Sequence, residues 1–544
     1  MCILTWPLPA RWPTVCLFCL CLLPASAGGA DWPQWGGHSD RNMISGEKGL
    51  PESFKPGKKS PQGAGIDLAT TENVKWIARL GTQTYGNPTI SGGRVFLGTN
   101  DEAFDDPRLH STRGGAVLCL DEATGKLLWR LAVPRFETNE PTFNFDNMGL
   151  GVCSAPTVEG DRVYLVTNRC EVLCLDVHGQ AGGNRGPFQA EGQFMAGPGR
   201  PPVALRTTDA DIIWTYDIIH QSDVWVQDAA NCSVLVAGDF LYVCTSNGVD
   251  SSHTRVPRPL APSLIVLDKR TGRVVAWDDE KIGTRLFHGQ WSSPSAGTVG
   301  GRRLIFYGGG DGVLYAFEAL TALPERPKPL KKIWSYDCNP PEYKVIDGRK
   351  VAYFDGDIRK HRGNRNDGQC VCFSEIIATP VFYRNRVYVT TGQDPSHGRG
   401  LGMLSCIDAT RTGDVTATGR IWNYKIGRSL SSVSIADGLL YVADLFEGLY
   451  CFDADSGKLY WTQPTGAEVW GSTMVADGKI YLGTKKGLLV MAAGKEKKLL
   501  AEIHLGAPAY CTPVVANGVL YVASHTYLWA VQAAAGRKTE QAKN

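Results

Sequence analysis

Five side chains of the sequence join flat aromatic faces to hydrogen-bonding groups and fall close to turns or strand starts: Trp225, Gln227, Asn247, His288 and Trp291. Indole faces stack on flat ligands while an amide or imidazole fixes a polar edge, so these residues form a candidate ligand site. Trp225, Asn247, His288 and Trp291 are its expected cofactor- or ligand-contacting residues. A second cluster of hard oxygens, Asp355, Asp357 and Asp367 in DGDIRKHRGNRNDGQC (355–370), has the chemistry to hold calcium, although its mixture of acids and bases also describes a solvated loop. Beyond the first thirty residues there is no adjacent cysteine pair, no C-x-x-C-H haem attachment motif and no tetrahedral zinc spacing. No carboxylate pair for glycoside hydrolysis can be placed, and no catalytic residue is assigned.

The elements that must position these side chains come from a repeat. One phrase returns eight times: a Gly or Asn turn, an apolar strand with Tyr or Phe, a short turn, and a second strand ending near Asp. GGRVFLGTND with AVLCLDEATGKLLW (92–129), GDFLYVCTSN with SLIVLDKRTGRVVAW, and DGLLYVADLFEGLYCFDADSGKLYW are three of its copies. A short strand beginning with Pro or Ser precedes each copy (APTVEG, SSVSIADG, CTPVVANG), and Trp129, Trp214, Trp277, Trp334, Trp422 and Trp461 mark a fourth strand after six of them. Four strands per copy at a period near about 40 residues predict an all-β, eight-bladed propeller of antiparallel four-stranded blades.

The eighth copy ends after LWAVQ with three strands, while ENVKWIARLG (72–81) stands alone ahead of the first. That N-terminal strand is therefore expected to complete the last blade and close the ring, removing the unpaired edges an open array would leave. Four insertions, 131–152, 178–211, 250–262 and 338–375, break the spacing and are candidate binding loops; the Gly- and Pro-rich 179–202 reads as a flexible surface excursion.

Composition agrees: 43% hydrophobic and 20% charged residues with 62 Gly suit strands and turns. Lys and Arg number 56 against 54 acids, so no field of one sign steers nucleic acid. Arg11, the apolar run 14–24 and Ala25-Ser26-Ala27 form the pattern of a cleaved secretory signal, too short to cross a bilayer. The expected divisions are a signal over 1–27, an extended leader over 28–71, a propeller over 72–533 and a polar tail over 534–544, in an exported monomer. Cys119, Cys174, Cys406 and Cys451 fall at equivalent repeat positions as small core residues, whereas Cys338, Cys370 and Cys372 flank an insertion one of them could staple in an oxidising compartment.

The phrases LDEATGKLLW, LDKRTGRVVAW and FDADSGKLYW resemble the tryptophan-docking repeat of the pyrroloquinoline quinone (PQQ) propeller superfamily. The opening DWPQWGGHSDRN (31–42) also resembles a leader common in its exported members. That superfamily holds quinoprotein alcohol dehydrogenases, which bind the quinone and calcium in the central funnel, and the assembly factor BamB, a scaffold without a cofactor. The resemblance puts Asn247 of LYVCTSNGVD in the role of a calcium ligand with Asp250 nearby, or leaves it a plain turn residue before Gly248. FHGQWSSPS (287–295) resembles the stretch that carries the catalytic aspartate in those enzymes. Trp291 matches, but Gly289 and Ser292 occupy the aspartate positions, and His288 is the nearest substitute base. The expectation is an exported propeller that binds an unidentified protein or small molecule, the alternative being a divergent dehydrogenase using PQQ and calcium.

Overall fold

In each repeat, runs of apolar residues form two strands buried on both faces, and Gly, Asn or Asp at positive φ turns the chain into the first of them from the short strand before it. A computed structural model describes Met1, residues 29–61, 63, 65–103, 105–346, 348–351, 353–355, 358–359 and 373–533. Eight sheets succeed one another around a ring. Their innermost strands are Thr89–Ser91, Thr157–Glu159, Leu235–Ala237, Ser295–Val299, Val381–Tyr383, Ser434–Ala436, Thr473–Ala476 and Val514–Ala516, which number blades 1 to 8. Each runs antiparallel through a second and a third strand to an outer one. Blade 8 takes its outer strand, Val74–Arg79, from the N-terminal side, with Trp76 opposite Ala530 and Ile77 opposite Trp529. The ring thus closes as the lone Trp-bearing strand predicts, the N-terminal strand completing the blade that the C-terminal strands begin.

Neighbouring blades are joined by the tryptophans. The indole N–H of Trp76 donates to the Glu122 carbonyl of the next blade (2.9 Å), and Trp129, Trp214, Trp334, Trp422 and Trp461 donate likewise to Val177, Lys269, Ala409, Ala454 and Gly494. Each ring lies opposite a small residue on the third strand: Cys119 faces Trp129, Cys174 faces Trp214, Cys406 faces Trp422 and Cys451 faces Trp461. These cysteines are core spacers that leave room for an indole, which explains their recurrence.

Blade 3 departs from the expected pattern. There Ala276 holds the slot opposite Val266, while Trp277 stands one residue further on, half-buried, against Pro329 of an added parallel strand. The excursion over 179–202 is also more ordered than its composition suggests. It contains the helix Glu191–Ala196, with Phe194 and Met195 buried beside Trp129 and the Glu191 carboxylate accepting from Asn184 and Ile212.

The leader crosses the hub. Trp32 bridges Ile90 of blade 1, and the Pro33 carbonyl accepts from Val158 of blade 2. Ser39 and Asp40 carbonyls accept from Ala296 and Phe382 of blades 4 and 5, and Asn42 exchanges two bonds with Ile435 of blade 6. Ile44–Ser45 adds a parallel strand to blade 7, the Ala30 carbonyl accepts from Asn517 on the turn of blade 8, and Arg41 reaches the Val234 carbonyl beside blade 3. One short segment therefore touches all eight blades and plugs the end of the channel toward which the inner strands run.

Candidate functional site

The opposite end of the channel is open. Where the inner strands begin, the repeat places a small polar residue, and these residues hand hydrogen bonds around the hub. Ala155 N donates to Ser233 Oγ (3.1 Å) and Ser233 N to Ser293 Oγ (2.9 Å). Thr379 N donates to Ser432 Oγ (3.0 Å), Ser432 N to Ser472 Oγ (2.9 Å), Ser472 N to Thr512 Oγ1 (2.7 Å) and Thr512 N to Asn87 Oδ1 (2.6 Å). These two runs border a funnel of about 490 Å³ whose floor is Trp35 of the leader, itself bonded through its indole N–H to Thr379. The cavity is in the size range of small-molecule sites.

One wall of the funnel is aromatic. Trp470 stacks on Tyr510 at 4.4 Å and on Tyr85 at 5.6 Å, with interplanar angles of 14° and 23°. Glu468 accepts from the Tyr510 hydroxyl at 3.0 Å. Among the described residues that line the cavity there are three carboxylates, Asp228, Asp394 and Glu468, and neither Lys nor Arg. Glu468 is paired from outside the lining by Lys485 at 3.4 Å, so the uncompensated acidic groups of the wall are Asp228 and Asp394, which favour a cation over an anion.

The other side carries donors from separate loops. The ligand atoms of Asp228, His288 and Asp394 lie within 4.8 Å of one another. His288 is almost fully buried, and its Nε2 is 3.8 Å from Asp228 Oδ2 and 3.0 Å from His253 Nε2. Asp228 Oδ1 accepts from Asn144 Nδ2 (2.7 Å) and Gln227 Nε2 (2.8 Å). Burial, and then the facing charge of Asp394, push the Asp228 carboxyl up to about 6.

The five side chains singled out in the sequence divide between these surroundings. Trp291 lines the funnel, with its indole N–H on the Ala229 carbonyl and its edge against the His288 ring at 5.1 Å. His288 and Gln227 belong to the carboxylate cluster. Trp225 turns away, edge-on to Phe143 at 4.5 Å. Asn247 is buried, its Oδ1 accepting from Trp225 N and its Nδ2 donating to the Arg258 carbonyl, so that both ends of the amide hold backbone. Asp250 caps its own loop by accepting from Ser252. Asp355, Asp357 and Asp367 as calcium ligands, and Cys370 and Cys372 as a staple, lie outside the residues whose side chains are described; Cys338 is a buried thiol whose Sγ donates to the Tyr336 carbonyl. Asp228, His253 and Asp394 went unrecognised in the sequence. The signal available was positional, since the loops before inner strands and between second and third strands all open at this rim.

Behind the cluster, Asp146 is buried and accepts from Phe136 N (2.9 Å) and Asn168 Nδ2 (2.8 Å). Burial outweighs those bonds and raises its carboxyl to about 7. A folded-state value above the unfolded one favours the protonated native form, so this contribution to stability is complete below the unfolded pKa and is lost as pH rises through about 7. Asp146→Asn is expected to melt close to wild type at pH 4 and to be more stable at pH 8, by more than the ~1.4 kcal/mol of one pKa unit. Equal differences at both pH values would contradict the buried neutral carboxyl.

The family model described as outer membrane protein assembly factor BamB matches residues 98–318, 179–463, 411–496 and 449–541, which together run from 98 to 541. No curated protein matches the chain. Among solved structures, a quinohemoprotein alcohol dehydrogenase from Pseudomonas putida HK5 superposes with a TM-score of 0.52 at 10% identity, covering 93% of this chain and 82% of that one. A europium-containing methanol dehydrogenase gives a TM-score of 0.51 at 13% identity, over 91% of this chain and 89% of that one. BamB from Moraxella catarrhalis gives 0.48 at 12% identity, over 85% and 97%. At these identities the likeness is one of fold.

Proposed function

This chain belongs to the PQQ-like propeller family whose matching model is described as the assembly factor BamB, and from that premise we propose that it is an exported, non-catalytic binding propeller. Its ligand is a small cationic or neutral molecule held in the funnel with a flat or quaternary face against Tyr85, Trp470 and Tyr510. The observation that carries this reading is a cavity of about 490 Å³ whose described lining combines a stacked aromatic wall with carboxylates and neither Lys nor Arg. Cations are drawn to aromatic faces and to carboxylates alike, and enclosure strengthens both attractions. The leader seals the far end, which makes the funnel a closed cup. Export rests on the signal pattern over residues 1–27.

The quinone and calcium of the family's dehydrogenases do not fit these residues. The quinone is an anion with several carboxylates and calls for cationic side chains, while calcium takes about six to eight oxygens. The funnel supplies the opposite charge, and the donors that converge include imidazole nitrogen. No redox step is therefore derived.

Titration of the full chain with tetramethylammonium and with benzoate, followed by intrinsic tryptophan fluorescence, tests the proposal. Saturable quenching by the cation alone is expected, with affinity reduced about tenfold or more in Trp470→Ala. Benzoate binding as tightly as the cation, or unchanged affinity in Trp470→Ala, would overturn it.

A further inference from the structure

Four loops of blades 3 to 5 meet at the funnel rim, on the side away from the aromatic wall of blades 7, 8 and 1. We infer that Asp228, His288 and Asp394, with His253 beside them, bind one divalent transition-metal ion of the zinc, manganese or iron(II) class. Ligands of one such ion stand no further apart than twice a bond of about 2.0–2.2 Å. The three ligand atoms lie within 4.8 Å of one another before any ion draws them in, so closure needs only small side-chain movement. The 3.0 Å between the Nε2 atoms of His253 and His288 is the separation of two nitrogens sharing an ion, and an N–H···N bond serves it when none is there.

The surroundings fix the ligands as metal sites require. Two amides, from Asn144 and Gln227, hold Asp228 Oδ1, which leaves Oδ2 as the oxygen facing His288. Asp394 is held through Oδ1, which caps the turn Pro395–His397 by accepting from Ser396 N at 2.7 Å. Such outer bonds orient a carboxylate and are part of a metal site's affinity. Trp291 packs on the His288 ring and sets its plane. Two carboxylates and neutral imidazoles carry a charge that one divalent ion balances, and imidazole selects transition metals over calcium or magnesium.

The inference rests on the cluster alone and not on what occupies the aromatic wall, and the experiment separates the two. The full chain, stripped with a chelator, is titrated calorimetrically with zinc chloride and with calcium chloride. One zinc ion per chain is expected, with calcium about 100-fold weaker or more. His288→Gln and Asp394→Asn should each weaken zinc by about 100-fold, and Gln227→Ala, which removes an outer bond, by about 10- to 100-fold. Asn at 394 still caps the turn, so Asp394→Asn keeps the apo melting temperature. Cobalt(II) bound to wild type should show visible ligand-field bands that both ligand variants lose, while Trp470→Ala retains wild-type zinc affinity. Absence of zinc binding by wild type, preference for calcium, or unchanged zinc affinity in Asp394→Asn would overturn the site.

Discussion

Arg41→Met should lower the stability of the folded chain by about 3 kcal/mol or more, the largest effect expected of any single side chain in the leader. Arg41 is fully buried, and its guanidinium donates to the Pro294, Trp35 and Val234 carbonyls and to Gln34 Oε1 at 2.5–3.2 Å. Burial lowers its pKa only to about 10, so it stays charged at neutral pH, held by carbonyl dipoles. Methionine fills the aliphatic volume but leaves those acceptors without donors, each at about 1–3 kcal/mol when buried. Arg41→Lys should recover little, because a point charge with a tetrahedral head cannot reach four acceptors that a planar fork satisfies. Denaturant midpoints of the three proteins test this. A midpoint unchanged in Arg41→Met would mean that the leader lies on the hub without holding it.

What the sequence reveals and what it hides follow from the same geometry. The ring was legible because six of the eight interblade joints use the same parts: a Trp, a small residue opposite it and a turn carbonyl ahead of it. Closure was legible because Trp76 is one of those parts standing alone. Trp277 misled because a one-residue offset cannot be seen in a phrase that still ends in Trp; only pairing shows Ala276 in the slot. The excursion over 179–202 misled because Gly and Pro outnumber the two residues, Phe194 and Met195, that anchor it.

The rim cluster was hidden for a different reason. Its members come from four loops far apart in the chain, and each alone is an ordinary polar loop residue; no local spacing joins Asp228 to Asp394. Asn247 drew attention through a family motif, yet its surroundings give both ends of the amide to backbone partners. Function in a propeller depends on which loops share a face, and that is a property of ring order rather than of any motif.

Trp129→Ala is expected to cost about 3–5 kcal/mol, and Trp277→Ala less than half as much. Both residues end the same phrase in the sequence, so the contrast isolates the docking slot from the residue type. Trp129 is 1% exposed, packs against Phe96 at 5.9 Å and donates to the Val177 carbonyl at 2.9 Å. It also lies where a Cβ on Gly179 would approach within 2.8 Å, a closeness that the glycine at φ 56° permits. Removing the indole opens a cavity between blades 1 and 2 and strands a buried carbonyl. Collapse cannot fill the space, since Cys119 opposite is fixed by strand pairing and the turn ahead is held by Val177 N on the Asp161 carbonyl and Gln180 N on the Asp209 carbonyl. Trp277, half-buried beside the added strand at Pro329, leaves no comparable void. Thermal and denaturant unfolding of the two variants decides the matter: equal losses would mean that the tryptophans stabilise by area alone, whereas the predicted inequality ties the joint to the bulged register that puts a small residue opposite each ring.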